Sequence, residues 1–282
     1  MDTKRRKFLK MAGAAALAGI GAPALIKLNS TSAFASEEPA HEAPAHGEAP
    51  AHGEAAAHGE IAAATGVRLG MVIDMRRFAE MPMLLDQAIA ACHKVHNVPH
   101  FPNDRKNEIK WIWKAPYANV FPELESVHKS EMAKNAPFAV LCNHCDNPSC
   151  VKACPTKATF VQPENGIVAM DFHRCIGCRF CMAACPYGAR SFNWQDPRPF
   201  IETYNADFPT RMRGVVEKCN FCGERLALGL EPACVEAAKS AGAMVFGDLN
   251  DPDSEIRRVL DKEFTIQRNP AAGTKPSVYY IV

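Results

Sequence analysis

The chain has 282 residues, 48% of them hydrophobic and 22% charged, with a formal charge of +1 and twelve cysteines. A near-neutral balance offers no basic surface for nucleic acid, and no apolar run after Ile26 approaches the roughly 18 residues that span a bilayer. No Ser/His/Asp arrangement, phosphate loop, paired catalytic carboxylates or flavin fingerprint is present, so the cysteines must carry the chemistry.

The first segment, 1–35, reads as a twin-arginine export signal. Lys4 to Lys10 spell KRRKFLK, with Arg5 and Arg6 paired, an apolar stretch follows from Met11 to Ile26, and Ala33-x-Ala35 offers a cleavage site before Ser36. Cleavage would remove six Lys/Arg and one Asp and leave a charge of about −4. The expected location is therefore periplasmic, with membrane contact made through partner subunits. Residues 36–61 repeat blocks of Ala, Pro, Gly, Glu and His that cannot bury a core, and a disordered tether is expected. His41, His46, His52 and His58 are read as part of that solvated tether, with metal or haem binding as the alternative.

Residues 62–282 are expected to form one domain. Leu69 to Asp74 reads as a strand, and Phe78, Met81, Leu84, Leu85, Ala88 and Cys92 recur at helical spacing. Met71, Met75, Met81 and Met83 read as core filler. A first cysteine run, CNHCDNPSCVKACP, places Cys142, Cys145, Cys150 and Cys154. Two β-rich segments, Thr159–Gln162 and Ile167–Asp171, flank the turn Pro163-Glu164-Asn165-Gly166 and predict a hairpin. A second run, CIGCRFCMAACP, places Cys175, Cys178, Cys181 and Cys185 in the C-x2-C-x2-C-x3-C-P pattern of bacterial ferredoxins. Cys219 and Cys222 form another C-x2-C, with Cys234 twelve residues later. Beyond Asp248, NDPDSEIRRVLDKE predicts an Asn/Asp-capped amphipathic helix, and SVYYIV predicts a closing strand.

The spacing dictates how the sulfurs share iron. Three thiolates two residues apart converge on one cubane, while the fourth points away and reaches another cluster. Crossing the two central runs predicts one 4Fe-4S cluster on Cys142, Cys145, Cys150 and Cys185 and a second on Cys175, Cys178, Cys181 and Cys154. Pro155 and Pro186 end the local helices. Cys219, Cys222 and Cys234 lack one ligand, and Cys92 is the single cysteine left. A third 4Fe-4S cluster is therefore expected on Cys92, Cys219, Cys222 and Cys234, closing a loop of more than a hundred residues. Disulfides or zinc on the C-x2-C pairs are the bland alternatives.

Arg174, Arg179, Arg190, Lys152, Lys157 and Lys218 crowd these runs and would raise cluster potentials wherever they face a cluster. His93, His96, His144 and His173 are not needed as ligands and read as hydrogen-bonding neighbours. Trp111, Trp113 and Trp194 read as core or interface residues.

From Gly70 to Ala243 the chain resembles the four-cluster ferredoxin-like subunits that accompany molybdopterin oxidoreductases and membrane quinone subunits. The resemblance implies an α+β fold: a doubled bacterial-ferredoxin-like core with insertions, here preceded by the tether. It also implies an outer pair of motifs, one running from VID to a cysteine before NVP, the other C-x2-C-x11-C-x3-C. Here Phe78 to Ala91 contains no cysteine and Ala238 stands at the final cysteine position, so all four ligands of one family cluster are missing together. The surviving ligands are Cys92, Cys219, Cys222 and Cys234. This pattern is similar to the periplasmic iron-sulfur subunits of sulfite-reductase-associated transmembrane complexes.

The resemblance implies a non-catalytic electron-transfer subunit in sulfur-compound respiration, working between an integral-membrane quinone-reactive (NrfD-like) subunit and a periplasmic c-type cytochrome. A subunit of a molybdopterin sulfur-compound reductase or nitrite reductase is the first alternative. A zinc-stabilised structural adaptor is the second.

Overall fold

A computed structural model describes residues 66–124 and 127–282. The basic and apolar stretch 1–35 and the histidine-bearing repeat 36–61 lie outside the described residues.

β1 (Leu69–Asp74) is covered on both faces. Met71 and Ile73 enter the main core while Val72 meets Ile256 and Ile281 on the other side, as the period of two requires. Asp74 ends the strand and caps α1 (Met75–Glu80), its carboxylate accepting from the Arg76 amide at 3.0 Å. Met81, at φ −127° and ψ 74°, breaks the helical run, and Pro82 opens α2 (Pro82–Val95). The expected single helix is thus two. Phe78 belongs to α1, and Leu84, Leu85, Ala88 and Cys92 form the buried stripe of α2. The break also corrects the methionine reading: Met71 and Met75 are buried, but Met81 and Met83 are 41% and 75% exposed.

β2 (Ile112–Ala115) is followed by α3 (Tyr117–Val120), Ser130-capped α4 (Glu131–Asn135) and β3 (Phe138–Leu141). β2 and β3 pair antiparallel, with Ile112 opposite Leu141, so the first cysteine run starts directly from a fully buried strand. α5 (Ser149–Lys152) lies inside that run. The hairpin between the runs forms as β4 (Thr159–Val161) and β5 (Val168–Met170), with Phe160 opposite Ala169. α6 (Phe180–Ala183) occupies the second run. β6 (Ser191–Phe192) pairs antiparallel with β7 (Val216–Glu217), which delivers the chain to Cys219. α7 (Gly223–Leu226) and α8 (Ala233–Ala238) frame Cys222 and Cys234.

β8 (Met244–Asp248) pairs antiparallel with β1, and α9 (Glu255–Lys262) covers that sheet. The cap of α9 is Ser254 rather than Asn or Asp, its hydroxyl accepting from the Arg257 amide at 3.3 Å. Asp251 is instead engaged in the preceding turn, accepting from the Asp253 amide. β9 (Val278–Ile281) runs parallel to β1 on its other edge, giving the order β8-β1-β9. Helices and strands are interleaved along the chain, and α2 packs on α8.

Candidate metal centres

All twelve cysteines are free, and Cys92, Cys142, Cys145, Cys150, Cys181, Cys219, Cys222 and Cys234 are buried. The first C-x2-C loop of each cysteine cluster takes the same backbone turn. The residue before the second cysteine has a positive φ: His144 at 41°, Gly177 at 69° and Phe221 at 54°. Such a left-handed residue folds successive N–H groups to one side, the concavity that suits an anionic sulfur cluster. In the third loop this is visible directly, because the Phe221 amide donates to Cys219 Sγ and the Ala233 amide to Cys222 Sγ, each at 3.4 Å.

One quartet lines a single small cavity: Cys142, Cys145, Cys150 and Cys185, closed by Val168, Tyr187 and Arg190. The Cys145 thiol is pushed up to about 12 by burial and by its neighbours Cys142, Cys150 and Cys185. Ser149 Oγ donates to the Ala184 carbonyl at 2.6 Å, so the start of α5 meets the end of α6, bringing Cys185 of the second run to the sulfurs of the first. Asn143 is almost fully buried, lines this cavity, and neither its Nδ2 nor its Oδ1 finds a partner within the protein.

A second group comes together at Cys92, whose thiol is raised by burial and then by Cys234, Cys219 and Cys222. Cys92 arrives on the buried stripe of α2, the other three from the loops around α7 and α8. Burial likewise lifts Cys234 to about 12. His96 Nδ1 lies 2.8 Å from the Cys92 carbonyl and Nε2 lies 2.8 Å from Glu224 Oε1, while its ring stacks on Trp111 at 4.3 Å. His96, Cys222 and Glu224 bring ligand atoms within 4.8 Å of one another, a trio that shares Cys222 with this same centre.

Three of the remaining four cysteines lie nearer the surface. Cys175, Cys178 and Cys154 are half-buried, and Cys181 is raised by burial and has Cys175 among its charged neighbours. For Cys154 burial is outweighed by hydrogen bonds from the Thr159 amide and the Thr156 hydroxyl, which hold it below the ordinary thiol range.

The groups are also electrostatic neighbours: Cys150 is a charged neighbour of Cys181, and Cys142 of Cys219, so the Cys142 group neighbours both of the others.

These residues fit iron-sulfur clusters. Two quartets of thiols brought together, backbone amides donating to Cys219 and Cys222 sulfurs, and a cavity lined by one quartet and by the unpartnered Asn143 make the donor set of such a group. Buried thiols that hold their protons at neutral pH would release them on taking metal. Asn143 and Glu224 escaped the sequence reading. Their positions, inside a C-x2-C loop and two residues after a ligand cysteine, were the available signal. Of the cations near the runs, Arg190 and Lys218 are buried, whereas Arg174, Arg179, Lys152 and Lys157 face solvent. Trp111 is fully buried and donates to Glu217 at 2.9 Å, whereas Trp194 is 39% exposed.

Residues 134–198 match the family model described as a 4Fe-4S dicluster domain. The chain is 43% identical over 200 residues to the Hdr-like menaquinol oxidoreductase iron-sulfur subunit 1 of Archaeoglobus fulgidus, covering 68% of this chain and 71% of the relative. It is 34% identical over 241 residues to the menaquinone reductase iron-sulfur cluster-binding subunit of Nitratidesulfovibrio vulgaris, covering 76% and 89%. The iron-sulfur subunit of an arsenate respiratory reductase from a Shewanella strain is 33% identical over 250 residues, covering 76% of this chain and 96% of the relative.

Proposed function

This chain belongs to the family of iron-sulfur subunits of menaquinol oxidoreductases and related reductases, and from that premise we propose that it is a non-catalytic relay. It carries single electrons along three 4Fe-4S clusters between an integral-membrane quinone-reactive (NrfD-like) subunit and a periplasmic c-type cytochrome. A 4Fe-4S cluster supplies reversible one-electron exchange. The chain's own residues hold it: Cys142, Cys145, Cys150 and Cys185 in the middle; Cys175, Cys178, Cys181 and Cys154 at one end; and Cys92, Cys219, Cys222 and Cys234 at the other.

The observation that supports this reading is the proximity of the thiol groups. Cys150 is a charged neighbour of Cys181, and Cys142 of Cys219, so the middle site offers an electron a step toward either end. Thiolates also fill every expected iron position, so a saturated centre has no place for substrate.

The two ends suit different partners. Ile176 and Phe180, inside the second cysteine run, are 67% and 59% exposed and give the Cys175 end an apolar rim for a membrane subunit. At the other end a groove lined by Ala91, Val95, Tyr204, Ala233 and Ala237 runs beside Cys92 and Cys234. Lys94, Arg225 and Glu236 also line it, and this mixed charged and apolar surface suits docking of a redox protein. Among the described residues no helix is long and apolar enough to cross a membrane. Export by the twin-arginine route, before which clusters are inserted in the reducing cytoplasm, fits thiols rather than disulfides.

The joint loss of four family cysteines places the chain, on this proposal, with DsrO-type subunits of sulfur respiration. Where those four ligands would lie, Phe78, Leu85, Ala88 and Ala238 fill the space with apolar packing.

Iron and acid-labile sulfide near about twelve each per chain, with visible absorption bleached by dithionite, are the expected result for three cubanes. Zinc in their place would overturn the reading. Purification of the native complex should return a quinone-reactive membrane subunit and a c-type cytochrome. A molybdopterin protein docked at the Cys92 end would instead favour the reductase alternative.

A further inference from the structure

Burying a cation without a partner costs several kcal/mol, so folded proteins pair such groups with carboxylates. Arg211 obeys this rule: its guanidinium lies 2.7 Å from Glu217, both side chains fully buried. Arg190 and Lys218 do not. They are 5% and 2% exposed, and neither has a carboxylate within ion-pair distance among the described residues. Arg268 also lacks one, but it donates to the carbonyls of Val120 and Tyr187 and lies against the Tyr187 ring, beside the middle cavity rather than at a junction between two thiol groups.

The places of the other two are specific. Arg190 donates from one terminal nitrogen to Cys150 Sγ at 3.0 Å and to Thr159 Oγ1 at 2.9 Å, and Cys181 and Cys142 are also its charged neighbours. It stands where the middle group meets the Cys175 group. Lys218 Nζ donates to the Cys219 carbonyl at 2.7 Å and to the Val168 carbonyl, and Val168 lines the cavity of the middle quartet. It stands where the middle group meets the Cys92 group. His144 stacks on Phe221 at 3.6 Å beside the same junction.

We propose that Arg190 and Lys218 are built-in counter-ions of the two junctions, wedged between neighbouring iron-sulfur sites, and that together they hold the middle site at a higher reduction potential than its four thiolates alone would set. The inference rests on the assignment of clusters to these thiols. Four thiolates around a cubane leave a net negative group, and each one-electron reduction adds a further negative charge. A buried cation a hydrogen bond away stabilises the reduced form more than the oxidised one, and low polarity strengthens the effect. The middle site faces both cations and each end site faces one. The exposed cations of the same runs are screened by water and contribute little.

The test is an EPR-monitored potentiometric titration of the iron-loaded full chain and of four variants. R190M should lower the potentials of the middle and Cys175 sites and leave the Cys92 site unmoved. K218M should lower the middle and Cys92 sites and leave the Cys175 site unmoved. The charge-keeping R190K should restore most of the loss, and R174M, at an exposed position beside Cys175, should leave all three close to the unsubstituted protein. Unchanged potentials in either Met variant, equal shifts at all three sites, or an R174M shift as large as that of R190M would overturn the proposal. If R190M does not take up iron, R190K decides: full loading with near-native potentials supports a charge role, and failure of both to load assigns Arg190 to packing and overturns it. Zinc, or iron far from about twelve, in the unsubstituted protein defeats the cluster assignment itself before any variant is made.

Discussion

At the scale of single residues, the first C-x2-C loops of the three cysteine clusters share one left-handed position and occupy it with three different residues. A non-glycine residue there costs about 1–2 kcal/mol. His144 and Phe221 offset it by stacking on each other at 3.6 Å, but no such contact is open to the residue before Cys178. Gly177 sits at φ +69°, and a Cβ built there would come within 2.4 Å of the Gly214 carbonyl oxygen, backbone that cannot turn aside. Gly177→Ala is therefore expected to cost more than about 1 kcal/mol and to distort only the loop that carries Cys175 and Cys178. Iron analysis should fall from about twelve toward about eight atoms per chain, with the Cys92 and Cys142 centres still seen by EPR. The cysteine spacing made the ligands legible in the sequence because ligand chemistry is local. It said nothing of Asn143, whose role depends on a cavity that exists only once four distant sulfurs have met.

At the scale of elements, α2 presses Leu84, Leu85 and Ala88 into the core and carries Cys92 on the same buried stripe. Leu85 is 1% exposed, so Leu85→Ala should cost about 2–5 kcal/mol, the usual range for emptying a buried leucine site. Because the same helix carries a ligand, the variant should lose iron from the Cys92 centre to a chelator before the other two, a sequence that EPR during chelation would reveal. If all three centres emptied together, α2 would not be an independent support. The helix and β1 before it were readable from periodicity, but the joint inside the helix and the strand β2 were not. The apolar spacing runs straight through Met81, and only the restriction that Pro82 places on its predecessor breaks it. The cap of α9 was misassigned for a similar reason: Asn250, Asp251, Asp253 and Ser254 are all competent caps in sequence, and the turn geometry selects the serine. The pairing of β1 with β8 and β9, strands from the far end of the described chain, is fixed by packing against α9 and the core and left no local sign.

At the scale of the whole molecule, the proposed function sets the three centres in a row, and a row makes a stronger demand than a set. If the Cys175 and Cys92 centres exchanged electrons directly, losing the middle would merely slow the relay. The proposed relay requires otherwise: Cys150 is a charged neighbour of Cys181 and Cys142 of Cys219, so the middle centre carries the traffic between the ends. Cys145 is not one of the linking cysteines. Its charged neighbours are Cys142, Cys150 and Cys185, and it can be removed without disturbing either junction directly. In the intact membrane complex, Cys145→Ala should leave both outer centres detectable by EPR. Quinol-driven reduction of the cytochrome should fall to the level of a complex lacking this protein. Amounts of each component matched by immunoblot separate that result from failed assembly. Substantial residual transfer with the middle centre absent would mean that the ends communicate by a route these contacts do not provide, and the row would have to be abandoned for a branched path.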